Sequence, residues 1–436
     1  MPKMKKTAPL APHGMYDILP SDQKYWRYAL KKIESLLEDY SFERIETPLI
    51  EEFDLIADAA GSAVDIVERE VLTVRARDGQ VLAVRPDSAV AIMRAYLEHG
   101  MNAQPHPVRL SFFQPVVRIA LGDHDRPRQF HQIGVQTIGD TSEAVDAELL
   151  FLGYKILNAL GLSNTTVTVN TLGDAACRPG YLRALRDFYK TRQKRLCAKC
   201  RNNLKVNTLR LLECTEPECQ EVAKEVPQIV DFLDQECKMH FKRVLEFLDE
   251  ARIPYLLSPQ LVRPYDYMNR TVFEFILDTA AQESGLPAGQ AGAFITGGRY
   301  DRLAELIGGP RVPAAGWTLD LGKVVASLKE RNVTVPEVGI KPKVFLVQLG
   351  EAAKRKSLLL FEDIRRAGIE IKYSLSRDNI KGQFRIAARL GVRFALIFGQ
   401  KEALEQTVIL REMDTGVQET IPLEKIIDEL KKRLKK

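Results

Sequence analysis

The sequence RIALGDHDRPRQFHQIG, residues 118–134, decides most about the fold of this chain. It joins two apolar, aromatic runs, 109–119 and 130–138, through a polar loop at 121–128. Two such runs on either side of a polar connection predict a pair of antiparallel β-strands. The segment therefore favours a body built around an antiparallel sheet.

The same segment is rich in arginine. Guanidinium groups bind phosphate and carboxylate oxygens in pairs, which suits an anionic ligand such as a nucleotide. A solvated hairpin loop explains the arginines equally well, because exposed charges usually stabilise a protein little. Both interpretations stay open for Arg118, Arg126 and Arg128.

Elements on the N-terminal side of this segment mix helical and strand periodicities. Residues 22–40 are amphipathic at helical spacing, and Ser21 is predicted to be the N-cap. The runs 70–75 and 81–85 flank Asp78–Gly79 and predict a hairpin. Without regular βαβ alternation, the pattern predicts an α+β class for the first part of the body, residues 1–169.

Beyond residue 169 the composition changes twice. Residues 170–254 are charged, helical and carry all six cysteines of the chain, which predicts a helical insertion. Residues 255–330 return to strand signals, with a strand at 271–277 and a helix near 321–328. Between this strand and this helix lies GGRYD, 297–301, which lacks the spacing of a phosphate-binding loop. Taken alone, this motif predicts a structural turn.

The last part of the chain is regular. After a linker at 331–342, strands alternate with helices from 343 to 436, which predicts a separate small α/β domain with a mostly parallel sheet. Its residues 341–436 carry 21 Lys and Arg against 13 Asp and Glu, whereas the whole chain of 436 residues has a net charge of only +5. This basic excess favours a polyanion such as nucleic acid, although KKRLKK at 431–436 supplies five of the charges.

Bulk composition excludes several classes. Hydrophobic residues make up 45% of the chain, enough for packed cores, but no run approaches the ~18 apolar residues of a membrane span. The N-terminus is basic and lacks the apolar run of a secretory signal, so a cytoplasmic location is expected. Six cysteines in a chain of this length do not form a disulfide scaffold.

Four of those cysteines are close together in the insertion. Two pairs with the spacings C-x2-C and C-x4-C are close to zinc-ribbon spacing, and four thiolates suit tetrahedral Zn²⁺. Reduced, partly buried thiols are the alternative, with Cys237 and His240 as further ligand candidates. The four residues are Cys197, Cys200, Cys214 and Cys219.

Six short motifs occur in an order and at spacings that resemble the histidyl-tRNA synthetase family of class II aminoacyl-tRNA synthetases. The resemblance covers nearly the whole chain, and its C-terminal part resembles the family's anticodon-binding domain. The motifs are GMYDILP (14–20), VRPDSA (84–89), the motif 2 stretch 118–132, VRPYDYMNRTVFE (262–274), GGRYD (297–301) and AAGWTLDLGKVV (314–325).

The resemblance implies an activity and its residues. The family makes histidyl-adenylate from histidine and ATP with Mg²⁺, then transfers histidine to tRNA(His), and it forms homodimers through a motif 1 found here at 43–48. Arg118 and Arg263 would be catalytic. Arg118, Arg126 and Lys323 would bind ATP, whereas Asp87, Gln132, Gln136, Arg263, Tyr267 and Tyr300 would bind histidine.

The chain departs from the family at positions in the pocket. Asp87 and Gln136 stand where the family has the glutamates that hold the α-ammonium group, and Met268 replaces a tyrosine. Lys323 replaces the motif 3 arginine, which keeps the charge but not the bidentate fork. Ala120 and the LGD at 121–123 replace further motif 2 residues.

Two hypotheses of different classes therefore stay open. In the first, the chain is a histidine–tRNA ligase with an altered pocket, which the retained Arg118 and Arg263 favour. In the second, it is a paralogue that regulates or binds, like the synthetase-like regulatory subunit of ATP phosphoribosyltransferase, which the pocket substitutions favour. Regulatory paralogues generally lack an arginine at the position of Arg263, so that residue discriminates between them.

Overall fold

A computed structural model describes residues 9–61, 70–119, 128–263, 265–277, 292–336, 341–375 and 379–435. The chain divides into two compact units after Pro336, a position inside the predicted linker. Within the described ranges, no helix is long and apolar enough to cross a membrane. Arg126, Ala120 and residues 121–123 lie outside the described residues.

The first unit is centred on a mostly antiparallel sheet. Eight of its described strands form one sheet in the order β1–β5–β6–β11–β10–β9–β7–β8. Only the two edge pairs, β1–β5 and β7–β8, are parallel. The strands are β1 (Glu43–Arg44), β2 (Ile50–Glu52), β3 (Thr73–Arg75), β4 (Val81–Val84), β5 (Val108–Val117), β6 (Gln129–Ile138), β7 (Thr165–Thr171), β8 (Tyr255–Leu257), β9 (Asn269–Leu277), β10 (Ile295–Arg299) and β11 (Ala314–Asp320).

This architecture confirms the α+β prediction for the body. The two runs around the polar loop are β5 and β6, which pair antiparallel over their whole length. The predicted hairpin is also present, because β3 pairs with β4 across the turn at Gly79. Together with β2 these two strands form a second, three-stranded sheet.

Helices cover the sheet and bury their apolar stripes against it. Core residues such as Ile33, Leu149 and Val324 come from three different helices and pack with strand residues of the sheet. The helices of the body are α1 (Gln23–Asp39), α2 (Phe53–Ala60), α3 (Ser88–Glu98), α4 (Glu143–Ala159), α5 (Arg178–Thr191), α6 (Ala198–Val206), α7 (Pro217–Ala223), α8 (Gln235–Glu250), α9 (Leu303–Leu306) and α10 (Leu321–Glu330).

The predicted N-cap of α1 was wrong by one residue. The helix is preceded by Asp22, not Ser21, and no side chain caps it. The Asp22 carboxylate instead accepts a hydrogen bond from Lys329 of α10 at 2.5 Å. The Asp22 carboxylate therefore forms an ion pair with a distant residue instead of accepting a hydrogen bond from the first turn of the helix.

The paired glycines of GGRYD form part of a strand rather than a turn, which corrects the expectation from the motif alone. Gly297 and Gly298 belong to β10 and pair with β9 and β11 on either side. A Cβ atom on Gly297 would lie 2.6 Å from the carbonyl oxygen of Gly316, so the strands approach too closely for a larger residue. Glycine is needed here for close backbone approach.

The insertion between β7 and β8 is helical, as predicted, and consists of α5 to α8 joined by short 3-10 turns. It packs into the same hydrophobic core as Leu172, which follows β7, and Val272 of β9. The insertion is thus continuous with the body rather than a separate lobe.

The second unit contains a five-stranded sheet in the order β13–β12–β14–β15–β16. Two of its pairs are parallel and two antiparallel, so the prediction of a mostly parallel sheet was wrong. The last two strands form a hairpin that extends the sheet without a crossover helix. The elements are β12 (Val344–Gln348), α11 (Glu351–Arg366), β13 (Ile371–Tyr373), α12 (Ile380–Leu390), β14 (Phe394–Phe398), α13 (Gln400–Glu405), β15 (Thr407–Glu412), β16 (Gln418–Pro422) and α14 (Ile426–Leu434).

Candidate active site

A cavity of about 390 Å³ opens in the body beside β6, β9, β10 and β11. We call the strand residues that line it the cavity floor: Val135, Gln136, Glu274, Thr296, Gly297, Gly298, Gly316, Trp317 and Thr318. Most of the site residues predicted from sequence lie around this one cavity. They are Asp87, Arg118, Gln136, Arg263, Tyr267 and Tyr300.

Arg118 follows directly after β5 and is held at two points. Its Nε donates to the carbonyl oxygen of Pro86 at 2.7 Å, and its Nη2 donates to Oδ2 of Asp87 at 3.2 Å. Burial lowers the pKa of Arg118, but the charge of Asp87 and its neighbours outweighs burial and raises it. The guanidinium therefore stays charged, and about 40% of the side chain remains exposed for a ligand.

Asp87 has a second partner. Its Oδ1 accepts the backbone N–H of Ala89 at 2.8 Å and so caps α3. Asp is a strong N-cap because its short side chain reaches back to the first turn. A glutamate, one methylene longer, is a much weaker cap, so the sequence departure at this position has a structural use.

Arg263 is the more buried of the two predicted catalytic arginines. Its guanidinium forms an ion pair with Glu274 of β9 and donates to the carbonyl oxygen of Val262 at 3.0 Å. Only 16% of the Arg263 side chain and 2% of the Glu274 side chain are exposed. Burial lowers the pKa of Arg263, but Glu274 more than offsets this and raises it, so the cation is fixed in the cavity.

Three tyrosines form one wall. The rings of Tyr265 and Tyr267 stack at 5.2 Å, and Tyr267 meets Tyr300 edge to face at 6.5 Å. Burial raises the pKa of Tyr265 to about 12 and raises the pKa values of Tyr267 and Tyr300 well above their usual value. The hydroxyl groups stay protonated and can donate as well as accept hydrogen bonds. Met268, also in the lining, offers no such donor.

Several buried polar atoms at the cavity have no hydrogen-bond partner among the described residues. Oε1 of Gln136, Oε2 of Glu274 and the Tyr300 hydroxyl are three of them. Two are acceptors and the third can accept, and leaving such groups unpaired costs about 1–3 kcal/mol each. They fit a ligand that carries N–H donors, such as an ammonium group or an imidazole.

Two predicted residues are not part of the cavity lining. Gln132 lies on the same strand and face as Gln136, four residues away and opposite Asp320 of β11. Lys323 lies in the first turn of α10, where its Nζ donates to the carbonyl oxygen of Ala293 at 3.2 Å. A third, Arg126, lies outside the described residues.

Sequence reasoning missed two charged residues from the insertion. Arg210 and Glu213 line the cavity together with the floor residues. They belong to a segment, 207–214, that includes the 3-10 helix Thr208–Leu211 and that we call the insertion wall. Nothing local to the sequence marks them, because they are about 50 residues from Arg263, and only the neighbouring Cys214 draws attention to the segment.

The four predicted cysteines converge at the end of this wall. Their sulfur atoms all lie within 4.8 Å of one another, and Sγ of Cys197 is 3.8 Å from Sγ of Cys214. The backbone N–H of Cys197 donates to Sγ of Cys219 at 3.2 Å, and the backbone N–H of Cys200 donates to Sγ of Cys197 at 3.4 Å. Cys200 and Cys219 are each only 1% exposed. The arrangement is that of a compact four-thiolate cluster.

Arg299, the arginine of GGRYD, points away from the cavity. It is fully buried and donates two hydrogen bonds to Oδ1 of Asp146, one of them from Nη2 at 2.7 Å. It also donates to the carbonyl oxygens of Asp140 and Ser142. Asp146 also bonds His240 at 2.8 Å. This network satisfies a buried charge and stabilises the sheet, so Arg299 has a structural role.

The cavity thus combines fixed cations, unpaired acceptors and stacked aromatic rings. Two arginines converge on a space that also has acceptors for nitrogen donors. Such a set can hold an anion and a cationic or N–H-bearing group side by side, the arrangement needed to join a carboxylate to a phosphate.

Comparisons with known sequences place the chain in a family. The family described as "Histidyl-tRNA synthetase" matches residues 14–324, and "Anticodon binding domain" matches residues 343–433. A protein named histidine–tRNA ligase from Dehalococcoides mccartyi is 36% identical over 424 residues, which cover 97% of this chain and 99% of that protein. One of the same name from Staphylococcus aureus is 33% identical over 422 residues, with 97% and 99% covered.

Solved structures agree in fold. The crystal structure of apo S. aureus histidyl-tRNA synthetase matches with a TM-score of 0.77 at 30% identity, covering 97% of this chain and all of that one. A structure named as an ATP phosphoribosyltransferase regulatory subunit/histidyl-tRNA synthetase from Bacillus halodurans matches with a TM-score of 0.62 at 18% identity, covering 91% of this chain and 99% of that one, which shows the shared fold alone. By sequence over nearly its full length and by fold, this chain belongs to the histidyl-tRNA synthetase family.

Proposed function

We propose that this chain is a histidine–tRNA ligase that forms histidyl-adenylate from histidine and ATP and transfers the histidyl group to tRNA(His). The observation that carries the proposal is the convergence of Arg118 and Arg263 on one cavity lined by unpaired acceptors. The full-length relatives at 33–36% identity are named for this activity. The regulatory-subunit alternative is not favoured, because these relatives are ligases and Arg263 is retained.

Activation joins a histidine carboxylate oxygen to the α-phosphorus of ATP while the bond from that phosphorus to pyrophosphate breaks. Negative charge spreads over the phosphate oxygens as this happens. Arg118 lies exposed enough to bind the carboxylate and α-phosphate together, and Arg263 supplies a fixed, partly desolvated charge. Mg²⁺ bound to the phosphates of ATP would supply positive charge beside the departing pyrophosphate.

The histidine itself is proposed to bind on the cavity floor and tyrosine wall. The carboxylate of Asp87 and the amide oxygen of Gln136 accept from the α-ammonium group. Tyr300 faces the imidazole, with Tyr267 beside it at 6.5 Å between ring centres. Since Gln136 is neutral, this pocket holds the ammonium group less tightly than a glutamate would, by about 1–2 kcal/mol.

Transfer needs the tRNA to reach the same cavity. A terminal ribose hydroxyl of tRNA attacks the histidyl carbonyl, and AMP leaves with the electron pair of the broken bond. The basic second unit, which matches an anticodon-binding domain, is proposed to bind the other end of the tRNA. We propose a cytoplasmic location, where tRNA and ATP are supplied.

We also propose a homodimer. Leu49 and Ile50, which follow the motif 1 segment, are adjacent apolar side chains that are each 44% exposed, and a partner chain would bury them. Light scattering at micromolar concentration should give about twice the chain mass. A monomer under those conditions would contradict this part of the proposal.

Zinc is the proposed metal of the four-cysteine cluster. With Zn–S bonds of about 2.3 Å, a tetrahedral site needs sulfur atoms about 3.8 Å apart. The Sγ atoms of Cys197 and Cys214 are already separated by 3.8 Å. Protein purified without added zinc should contain about one equivalent, and less than about 0.2 would reject the site.

The decisive experiment for the activity is histidine-dependent ATP–pyrophosphate exchange. The Arg263→Ala variant should reduce exchange on the order of 10²–10³-fold, whereas Arg27→Ala, which removes an exposed arginine of α1, should leave it unchanged. Exchange by wild-type protein that requires histidine supports the ligase. No exchange from folded, dimeric protein would favour the regulatory alternative.

A further inference from the structure

The insertion wall connects two features of the molecule that sequence treats as separate. Arg210 and Glu213 line the catalytic cavity, and the next residue, Cys214, belongs to the four-cysteine cluster. One peptide bond therefore separates a charge in the cavity from a ligand of the proposed metal. Any displacement of Cys214 is transmitted to Glu213.

The wall is not held by its own secondary structure. Its helical part is the four-residue 3-10 helix Thr208–Leu211, too short to be stable by itself. Buried side chains supply the anchorage: Leu209, Leu211 and Leu212 are at most 6% exposed. They pack in one core with Cys200 and Cys219 of the cluster and with the cavity residues Tyr267 and Met268.

Charge links the wall to the predicted catalytic arginine. Arg210 and Glu213 of the wall line the same cavity as Arg263. Glu213 adds to the effect of Glu274 on the pKa of Arg263. Arg263 thus has one acidic neighbour from the cavity floor and another from the insertion wall.

We propose that the metal-bound four-cysteine cluster anchors the insertion wall and so holds Arg210 and Glu213 in the lining of the catalytic cavity, which Arg263 also lines. The inference rests on the proposed ligase function and on the proposed zinc. It makes the insertion part of the active site and assigns the cluster a positioning role in catalysis beyond local folding.

The physical basis is the difference between four thiols and four metal bonds. Free thiols can rotate and separate at little cost, whereas zinc fixes each sulfur at about 2.3 Å from a common centre. Removing the metal therefore loosens Cys214 and, through it, Glu213. A displacement of about 1 Å at a group that positions a catalytic residue can cost on the order of a hundredfold in rate.

The first test replaces the wall residues. Glu213→Gln and Arg210→Ala should each lower kcat for pyrophosphate exchange by about tenfold or more while changing the KM for histidine less than threefold. The matched controls are Glu218→Gln and Arg195→Ala, which remove exposed charges of the insertion near the cluster. Wall variants that behave like these controls would overturn the proposal.

The second test removes the metal and has two readouts. Chelation of zinc from wild-type protein should increase hydrogen exchange of the amides of residues 208–213 while leaving those of β9 unchanged. It should also lower kcat about as much as Glu213→Gln does, and added zinc should restore both. Unchanged amide protection in zinc-free protein would contradict the anchoring role, whatever the activity.

Coupling between the two sites gives the sharpest result. If the metal acts through Glu213, zinc removal should cost the Glu213→Gln variant much less activity than it costs wild-type protein. Fully additive losses would overturn the proposal and leave the ligase function intact. Wild-type protein that performs no histidine-dependent exchange would overturn the ligase function and this inference together.

Discussion

On the cavity floor, Gln136 and Glu274 lie in strands that pair with a neighbour on each side. Gln136 is in β6, between β5 and β11, and Glu274 is in β9, between β7 and β10. In the insertion wall, Arg210 and Glu213 lie on a short 3-10 helix and the turn after it. Backbone hydrogen bonds fix side-chain positions on the floor, whereas packing and the cysteine cluster fix them in the wall. The comparison predicts that floor substitutions act locally and wall substitutions act at a distance.

The largest effect is expected where the floor holds the buried cation. Arg263→Ala should reduce pyrophosphate exchange on the order of 10²–10³-fold, the loss seen when one donor to a developing oxyanion is removed. It also leaves the Glu274 carboxylate buried without its partner, which should lower the free energy of unfolding by about 3 kcal/mol. Steady-state exchange and urea unfolding measure the two effects.

A double variant separates them. Arg263→Ala combined with Glu274→Gln removes the uncompensated charge. Relative to Arg263→Ala alone, the double variant should regain most of the lost stability but none of the lost activity. Activity that returned with stability would mean that Arg263 acts only by holding the fold.

Close packing of the floor gives the next effect. A Cβ atom on Gly316 would lie 2.3 Å from the carbonyl oxygen of Val135 and 2.7 Å from the Tyr300 hydroxyl, so Gly316→Ala must displace both the neighbouring strand and that ring. We expect a stability loss of about 1–3 kcal/mol from overpacking and a weaker affinity for histidine. Gly180→Ala in α5 is the control, because its Cβ would meet only Phe232 at an ordinary contact distance of 3.9 Å, and it should be neutral or stabilising. Equal histidine KM values for the two variants would argue against a ligand beside Tyr300.

Restoring charge on the floor tests the altered pocket. Gln136→Glu should lower the KM for histidine by about tenfold, since a charge-assisted hydrogen bond is stronger than a neutral one by about 1–2 kcal/mol. Burying a carboxylate without ligand should lower the stability of the free protein. A KM for histidine that rises would show that this position does not face the ammonium group.

The smallest effects are expected at Asp87, where two roles overlap. Asp87→Asn keeps an equally good N-cap for α3, so unfolding should change by less than about 0.5 kcal/mol while the KM for histidine rises. Asp87→Glu keeps the charge and loses the cap, which should cost about 0.5–2 kcal/mol with the KM for histidine preserved or lowered. Thermal unfolding and exchange kinetics on both variants would separate capping from binding.

The strands of the floor were predictable because they carry a local signal. Residues 130–138 form an apolar, aromatic run that follows a polar loop, and turn residues mark the hairpin at Gly79, so composition and turn residues both indicate strands. The first turn of α1 was not predictable to the residue, because Asp22 is used by Lys329 from far along the chain. The strand role of Gly297 and Gly298 was also hidden, since glycine usually marks turns and only close neighbours on both sides explain it here.

Sequence analysis alone predicted the family, the α+β body, the separate C-terminal α/β unit and six of the cavity residues. All four predictions depend on periodicity and on motifs that are only a few residues long. Three findings came from the folded structure alone. Arg210 and Glu213 line the cavity, whereas Gln132 and Lys323 are not part of its lining. Asp87 caps a helix and also pairs with Arg118. The physical reason is that side chains distant in sequence meet only when long-range packing has closed the chain, and no local pattern records which of them will share a space.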